Sequence, residues 1–470
     1  MIDTLLQHAA EEIGCAVAHA REHKTRAVVT VSAPVAPPPD LLSLVQQAGS
    51  SARHCFLWER PADDFAVAAW GTSASFCADG AGRFNQIADA CDAVLRDAAA
   101  DAASRAIGAP FFVGGFAFAP DAVTEEPWRG FPAGLMLLPR LAIVRRQQRA
   151  TLTATCMVDA TSDAAALLQG LRADLEHMQH AAAGACNEDA RDSVDIRYQA
   201  APSAPLLLWK QAVAETVDDI TRGRLDKLVL ARSCVVTSNR LFDCGRILRH
   251  LRTTYPSCVL FWMGTPHGDF LGATPEPLVR CEGGRISTAA IAGSIAPGSS
   301  AAATRSLAHA LANSEKNGVE HAIVVRAITE TLRPLCEQLD VAPSPQVLRL
   351  DNVQHLMTPI SGRLRDALHI LDLVARLHPS PAVAGYPRAA ALQLLHEREG
   401  LNRGWYAGPI GWMDARHDGE FAVAIRSALV RGSEAAVYAG AGIVAGSDPE
   451  AELSETRMKL QPLLSALLEL

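Results

Sequence analysis

Aromatic residues make up only 5% of this 470-residue chain and charged residues 20%, and neither sign of charge dominates. Forty-three lysines and arginines stand against 51 acids, a formal net charge of -8. The missing basic surplus excludes general nucleic-acid binding, which needs a cationic face, but it leaves room for a local cationic pocket. Hydrophobic residues reach 49%, yet no apolar run is long enough to cross a bilayer, so a large buried core and no membrane partner are expected. The first residues, MIDTLLQHAAEEIGC, have early acids and no basic segment ahead of an apolar core. No export signal is therefore expected, and a cytoplasmic location is. The 11 cysteines show no C-x-x-C or paired spacing, which speaks against a zinc ribbon or disulfide framework and for reduced thiols in the core.

What is present alternates β-rich and helical segments. The pattern predicts a helix over 1–23, a strand over 27–35 that ends at the prolines 37–39, strands at 55–58 and 65–70, and an alanine-rich helix over 87–107. FFVGGFAF (111–118) reads as an aromatic strand in which Gly114 and Gly115 mark a bulge or a close backbone approach. Segments 135–144 and 151–158 read as a strand pair, 164–180 as a helix, and the polar, proline-bearing interval 182–205 as a surface connection between an N-terminal part (1–200) and a C-terminal catalytic region (201–470). A helix opens near Leu206, with Trp209, Val213, Val217 and Ile220 on one face. Beyond it strands come in pairs, such as 258–263 with 270–272, and favour an α+β fold with antiparallel sheets flanked by helices.

Chemistry gathers in the second half. AGAGIVAGSDPEAELSETRMK (439–459) brings Gly440 and Gly442, which permit close backbone approach to an anion, into a helix that Ser447 or Asp448 can cap. Glu452, Glu455 and Lys459 stack on one helical face, offering oxygen ligands for a hard cation and an ammonium for an anion. Lys227 opens the apolar run KLVLAR, where desolvation can turn a lysine into a base. Glu276, between Pro275 and Pro277, is a carboxyl held at a strand end, suited to a general acid or base. SEKNGVEHAIVV reads as a helix begun at Ser314, on which Glu320 can give a further oxygen to the same metal. His321 suits packing better than ligation of a hard cation. Arg426, in the apolar strand VAIRSA, needs an anionic partner from the protein or a ligand.

Together these blocks resemble the chorismate-utilising enzymes, and within them the isochorismate synthases. The match runs in family order through KLVLAR, FLGATPEPL, TAAIAGS, SEKNGVEHAIVV, VQHLMTPI, LHPSPAVAGYP, RGWYAGPIGW, VAIRSALV and AGAGIV to Lys459. The resemblance implies two large antiparallel β-sheets sandwiched between helical layers. It implies Lys227 as the base that activates water for attack at C2 of chorismate, and Glu276 as the acid that protonates the departing C4 hydroxyl. By the same resemblance Glu320, Glu452 and Glu455 surround a Mg2+, Gly293, Ser294, Tyr406, Arg426, Gly440, Gly442 and Lys459 cradle the substrate's carboxylates, and His355 lies near the reacting ring.

Within the family, the lysine at 227 departs from anthranilate synthases, and Ala292 lacks the lysine of aminodeoxychorismate synthases. Ala382 stands where salicylate synthases, the alternative reading together with a non-catalytic chorismate-binding subunit, carry threonine. LHPSPAVAGYPR and RGWYA lean towards the siderophore or salicylate side. Water as nucleophile implies a monomer without a glutaminase subunit. Asn317 departs from an acid common in relatives and implies weaker Mg2+ binding.

Overall fold

The computed structural model describes residues 2–38, 40–49, 54–121, 126–184 and 197–468. Most of the expected surface connection, 185–196, and Pro39 of the proline cluster lie outside them. A 13-stranded and a 10-stranded sheet dominate. Both draw strands from the two halves of the chain, so the N-terminal segments complete the sheets that carry the C-terminal motifs.

Side-chain alternation explains the layering. On the strand Cys55–Arg60, Phe56 and Trp58 face one core while Cys55 and Leu57 face the other, and Phe65–Trp70 splits in the same way. The larger sheet is thus buried on both faces, as its near-continuous apolar runs require. One face meets the second sheet through residues such as Phe112 and Ile410; the other is covered by Leu5, Leu42 and Leu463 of helices. Ile87, Val324 and Leu371 bring helices onto the outer side of the smaller sheet. This is the layered α+β arrangement expected. No described helix is long and apolar enough to cross a membrane.

Three expectations needed correction. Of the irregular connection expected over 182–205, residues 182–184 end the helix Ala164–Gly184, and Tyr198–Pro202 is a strand of the larger sheet, antiparallel to Lys227–Ser238. The alanine-rich helix is broken: helices span Arg83–Leu95 and Ala102–Ile107, with a short strand Ala99–Ala100 between them. Asp101 causes the break, because its side chain accepts the Ser104 N–H as an N-cap while the strand pairs with Val29 and Thr30. Segment 135–144 is two strands, Gly134–Leu138 in the smaller sheet and Leu141–Arg146 in the larger. Pro139, lacking an N–H, sits where the chain changes sheets. The glycines of the aromatic strand serve close approach: a Cβ on Gly115 would lie 2.6 Å from the Trp405 ring and 2.9 Å from Pro409 O.

Candidate active site

Two crossovers between the sheets place the acid and the guanidinium. The chain leaves the larger sheet after Gly268–Thr274 and enters the smaller one at Pro277–Glu282, with Glu276 in the gap. It returns from Gly419–Val423 to Ser427–Arg431, with Arg426 in the second gap at φ +50°. The gaps lie side by side: Val423 N–H donates to Glu276 O at 3.0 Å, and Ala273 N–H to Arg426 O at 3.1 Å. Thr274 Oγ1 donates to Val423 O at 2.7 Å and accepts the Glu276 N–H at 3.2 Å. Sequence reasoning passed over Thr274, whose only signal was a hydroxyl beside two prolines.

A third device sets the opposite wall. Strand Arg285–Ile295 pairs with Gln354–Leu364, and the register slips between Ala292 and Ser294, where Gly293 adopts φ +75°. A glycine tolerates that conformation without strain. The slip puts Ser294 across from His355, whose Nδ1 lies 3.0 Å from Ser294 Oγ, while Arg426 Nη2 donates to His355 Nε2 at 3.2 Å. With Nε2 accepting, the ring proton sits on Nδ1 and faces both Ser294 Oγ and, at 3.3 Å, the Gly293 carbonyl. Burial, then Arg426 and Lys459, hold this histidine well below its ordinary value, so it is neutral.

These walls line one cavity. Glu276, Gly293, Ser294, Glu320, His355, Tyr406, Arg426, Gly440, Gly442 and Lys459 all line it. Ala382 lines it too. Lys227, Glu452 and Glu455 stand behind this surface. Lys227 is fully buried, and its Nζ lies 3.0 Å from Glu320 Oε1, an ion pair without hydrogen-bond alignment. Gly442 leaves the space for that pair, since a Cβ there would collide with Glu320 Oε1 and lie 3.0 Å from Lys227 Cε. His321 packs instead, with Nε2 2.7 Å from Thr358 Oγ1.

The charges are unusual for a buried volume. Burial pushes the Glu276 carboxyl up to about 7, against the pull of Lys227, Lys459 and Arg426. A carboxyl poised there exchanges protons near neutral pH, the range a general acid needs. Among the described residues Arg426 has no carboxylate within salt-bridge distance, although it is 6% exposed. A buried guanidinium of this kind calls for an anion from elsewhere. Tyr406 is pushed up to about 12 by burial and stays a neutral hydroxyl.

The three glutamates expected around a metal are each held by a lysine: Glu320 by Lys227 at 3.0 Å, Glu452 by Lys316 at 2.6 Å, and Glu455 by Lys459 at 2.6 Å. Their oxygens are not gathered within 4.8 Å of one another. They do share an electrostatic centre. Burial works against the Lys316 ammonium, and Glu452, Glu455 and Glu320 together outweigh it and raise its pKa. Burial and then Glu455 raise Glu452; burial also pushes Glu455 up, but Lys459, Lys316 and Arg426 hold it below its ordinary value. An all-oxygen donor set of this kind, with Glu452 buried and Glu320 and Glu455 partly so, suits a hard divalent cation. Lys316 escaped the sequence reading, because its partner Glu452 lies 136 residues away in the chain.

Asp448 caps the C-terminal helix by accepting the Ala451 N–H at 2.9 Å. Lys459 Nζ donates to Gly440 O at 3.0 Å, joining that helix to the glycine strand. Asn317 lies against the slipped register, its Nδ2 donating to Ser314 Oγ at 2.8 Å and its Cβ 3.0 Å from where a Gly293 Cβ would stand.

Known proteins resemble this chain over most of its length. The chain is 36% identical over 420 residues to the "Salicylate biosynthesis isochorismate synthase" of Pseudomonas aeruginosa, covering 88% of this chain and 84% of that one. It is 35% identical over 366 residues to "Isochorismate synthase MenF" of Bacillus subtilis, covering 76% and 74%. The solved structure of MenF, the menaquinone-specific isochorismate synthase from Escherichia coli, superposes with a TM-score of 0.76 at 28% identity, over 97% of this chain and 100% of that one. Anthranilate synthase component I from Streptococcus pneumoniae, at 22% identity and a TM-score of 0.67, shares the fold. The family model described as "Chorismate binding enzyme" matches residues 15–468, and the chain belongs to that family.

Proposed function

We propose that this protein is an isochorismate synthase, which interconverts chorismate and isochorismate by adding water at C2 and expelling the C4 hydroxyl. The observation that carries the reading is the cavity itself: a carboxyl balanced near neutrality and a buried guanidinium without a carboxylate partner share one volume. A dianionic substrate supplies the charge that Arg426 lacks, with Lys459, the Ser294 hydroxyl, the Tyr406 hydroxyl and the backbone at Gly293, Gly440 and Gly442 as further partners. In this reading Lys227 acts in its neutral amine form, released from the ion pair with Glu320, and takes a proton from the attacking water, while Glu276 gives one to the leaving hydroxyl, which departs as water. His355, neutral and fixed between Arg426 and Ser294, orients that wall. The reverse reaction uses the same two groups with exchanged roles.

Glu320, Glu452 and Glu455 are the residues that would hold Mg2+, whose charge, when bound, neutralises the ring carboxylate. Water as nucleophile removes the need for a glutaminase subunit, and the enzyme is read as a cytoplasmic monomer. The named relatives include one of salicylate biosynthesis, and with LHPSPAVAGYPR this favours the siderophore or salicylate branch for the product. Ala382 on the cavity wall supports release of isochorismate over onward elimination to salicylate.

Incubating the purified chain with chorismate and Mg2+ tests the proposal. Isochorismate as the early product is expected. Salicylate with pyruvate as the first product, or binding without turnover, refutes it in favour of a salicylate synthase or a silent binding subunit.

A further inference from the structure

Asp92, His369 and His417, none of which lines the cavity, converge where three elements meet. Asp92 is on the helix Arg83–Leu95, His369 directly precedes the helix Ile370–Leu377, and His417 occupies the hairpin turn between strands Pro409–Asp414 and Gly419–Val423. His417 Nε2 lies 2.9 Å from Asp92 Oδ1, and His369 Nε2 lies 3.9 Å from the same oxygen. The two imidazoles pack with centroids 4.5 Å apart. One donor atom from each residue lies within 4.8 Å of the others, and no second group of this kind occurs among the described residues. A tetrahedral metal with bonds of roughly 2.0–2.2 Å sets its ligand atoms about 3.3–3.6 Å apart, between the 2.9 and 3.9 Å of the two histidine–carboxylate distances.

Two details set this corner apart from an ordinary surface ion pair. The His417 turn is rigid: the residue adopts φ +65°, its N–H donates to Asp414 O, and the Asp414 carboxylate accepts the N–H groups of Arg416 and Asp418. His369 is 9% exposed, and its Nδ1 accepts the Leu371 N–H at 3.0 Å as a helix cap. The proton of the neutral ring is therefore on Nε2, which is buried and has no hydrogen-bond partner. That N–H has no acceptor, and in the other tautomer the same buried Nε2 presents a lone pair towards a carboxylate and a second imidazole, the position of a metal ligand.

We propose that Asp92, His369 and His417 form a binding site for a borderline divalent metal of the Zn2+ class, held by one carboxylate oxygen and the two Nε2 atoms, with water as the fourth ligand. Imidazole nitrogens select such a cation over Mg2+. Ligation shifts each ring proton from Nε2 to Nδ1. At His369 this would set an Nδ1–H against the Leu371 N–H, so the helix cap opens as the metal binds, and the metal–ligand bonds supply the net affinity. The bound ion ties both helices to the hairpin turn.

The test uses untagged full-length protein in excess Mg2+, titrated with Zn2+ by calorimetry and with Co2+ by visible absorption. One Zn2+ per chain is expected, undisplaced by Mg2+, with the intense Co2+ bands of a tetrahedral site and a melting temperature raised by Zn2+. His369→Asn retains a capping side chain but loses the imidazole, and Asp92→Asn removes the charge. Each is expected to weaken Zn2+ binding at least tenfold and to abolish the rise in melting temperature. No saturable Zn2+ binding in the parent protein, or unchanged binding in both variants, overturns the proposal.

Discussion

Replacing Glu276 by glutamine separates what the site needs from what the fold prefers. The carboxyl sits at about 7 against an ordinary 4.5 because burial penalises its charged form more than Lys227, Lys459 and Arg426 favour it. Between those two values the folded state holds a proton that the unfolded state has released, so stability falls as pH rises through the window. The fall amounts to about 1.4 kcal/mol per pH unit and levels off near 3 kcal/mol above neutrality. Glutamine is neutral throughout and avoids it. Glu276→Gln is therefore expected to match the parent chain below pH 4.5, gain on it steadily, and exceed it by roughly 3 kcal/mol at pH 8, while turnover drops about 10²–10⁴-fold. Urea denaturation midpoints of both proteins at pH 5, 6, 7 and 8 measure the difference. A gap that does not change with pH, or that favours the parent at pH 8, would refute the argument from burial.

Other substitutions probe the surrounding parts. Lys227→Ala is expected to abolish turnover while leaving chorismate binding by calorimetry; strong residual activity removes the lysine from the base role. Gly442→Ala forces a methyl against Glu320 and Lys227, and should cost at least tenfold in kcat with a normal circular dichroism spectrum, whereas Gly14→Ala, at an exposed helix position with no atom near its new Cβ, should stabilise by about 0.5–1 kcal/mol. Arg403, buried, donates to both oxygens of Glu399 at 2.5 Å and to the carbonyls of Val383 and Val229 at 2.7 Å. Arg403→Lys cannot make that fork and should lose roughly 2–3 kcal/mol in the denaturation midpoint. Chelating Mg2+ should abolish turnover, and added Mg2+ should restore it.

The ordered motif blocks made much of the site legible, because each carries its chemistry in local sequence: an amine opening a buried strand at 227, a proline-clamped carboxyl at 276, a glycine strand feeding an acidic helix after 440. Legibility failed where distant segments decide. Nothing near residue 139 says that the chain changes sheets there, since that depends on which strands pair across the molecule. Asp101 starts a second helix where alanine propensity alone would run one helix through, its N-cap being a local hydrogen bond that outweighs a weak per-residue preference. The lysines held by two of the metal-directed glutamates were also hidden, because Lys227 with Glu320 and Lys316 with Glu452 meet only after the sheets and helices are assembled, whereas Lys459 is one turn from Glu455 in the sequence. The adjacency of the 276 and 426 crossovers likewise exists only in three dimensions.

Turnover of chorismate in H2¹⁸O bears most directly on the pairing of an amine at 227 with a carboxyl at 276. If Lys227 draws a proton from solvent water while Glu276 expels the original hydroxyl, newly formed isochorismate carries one ¹⁸O atom in its C2 hydroxyl. Unlabelled isochorismate would mean that the hydroxyl migrates within the substrate, and the two-sided acid–base account would be wrong.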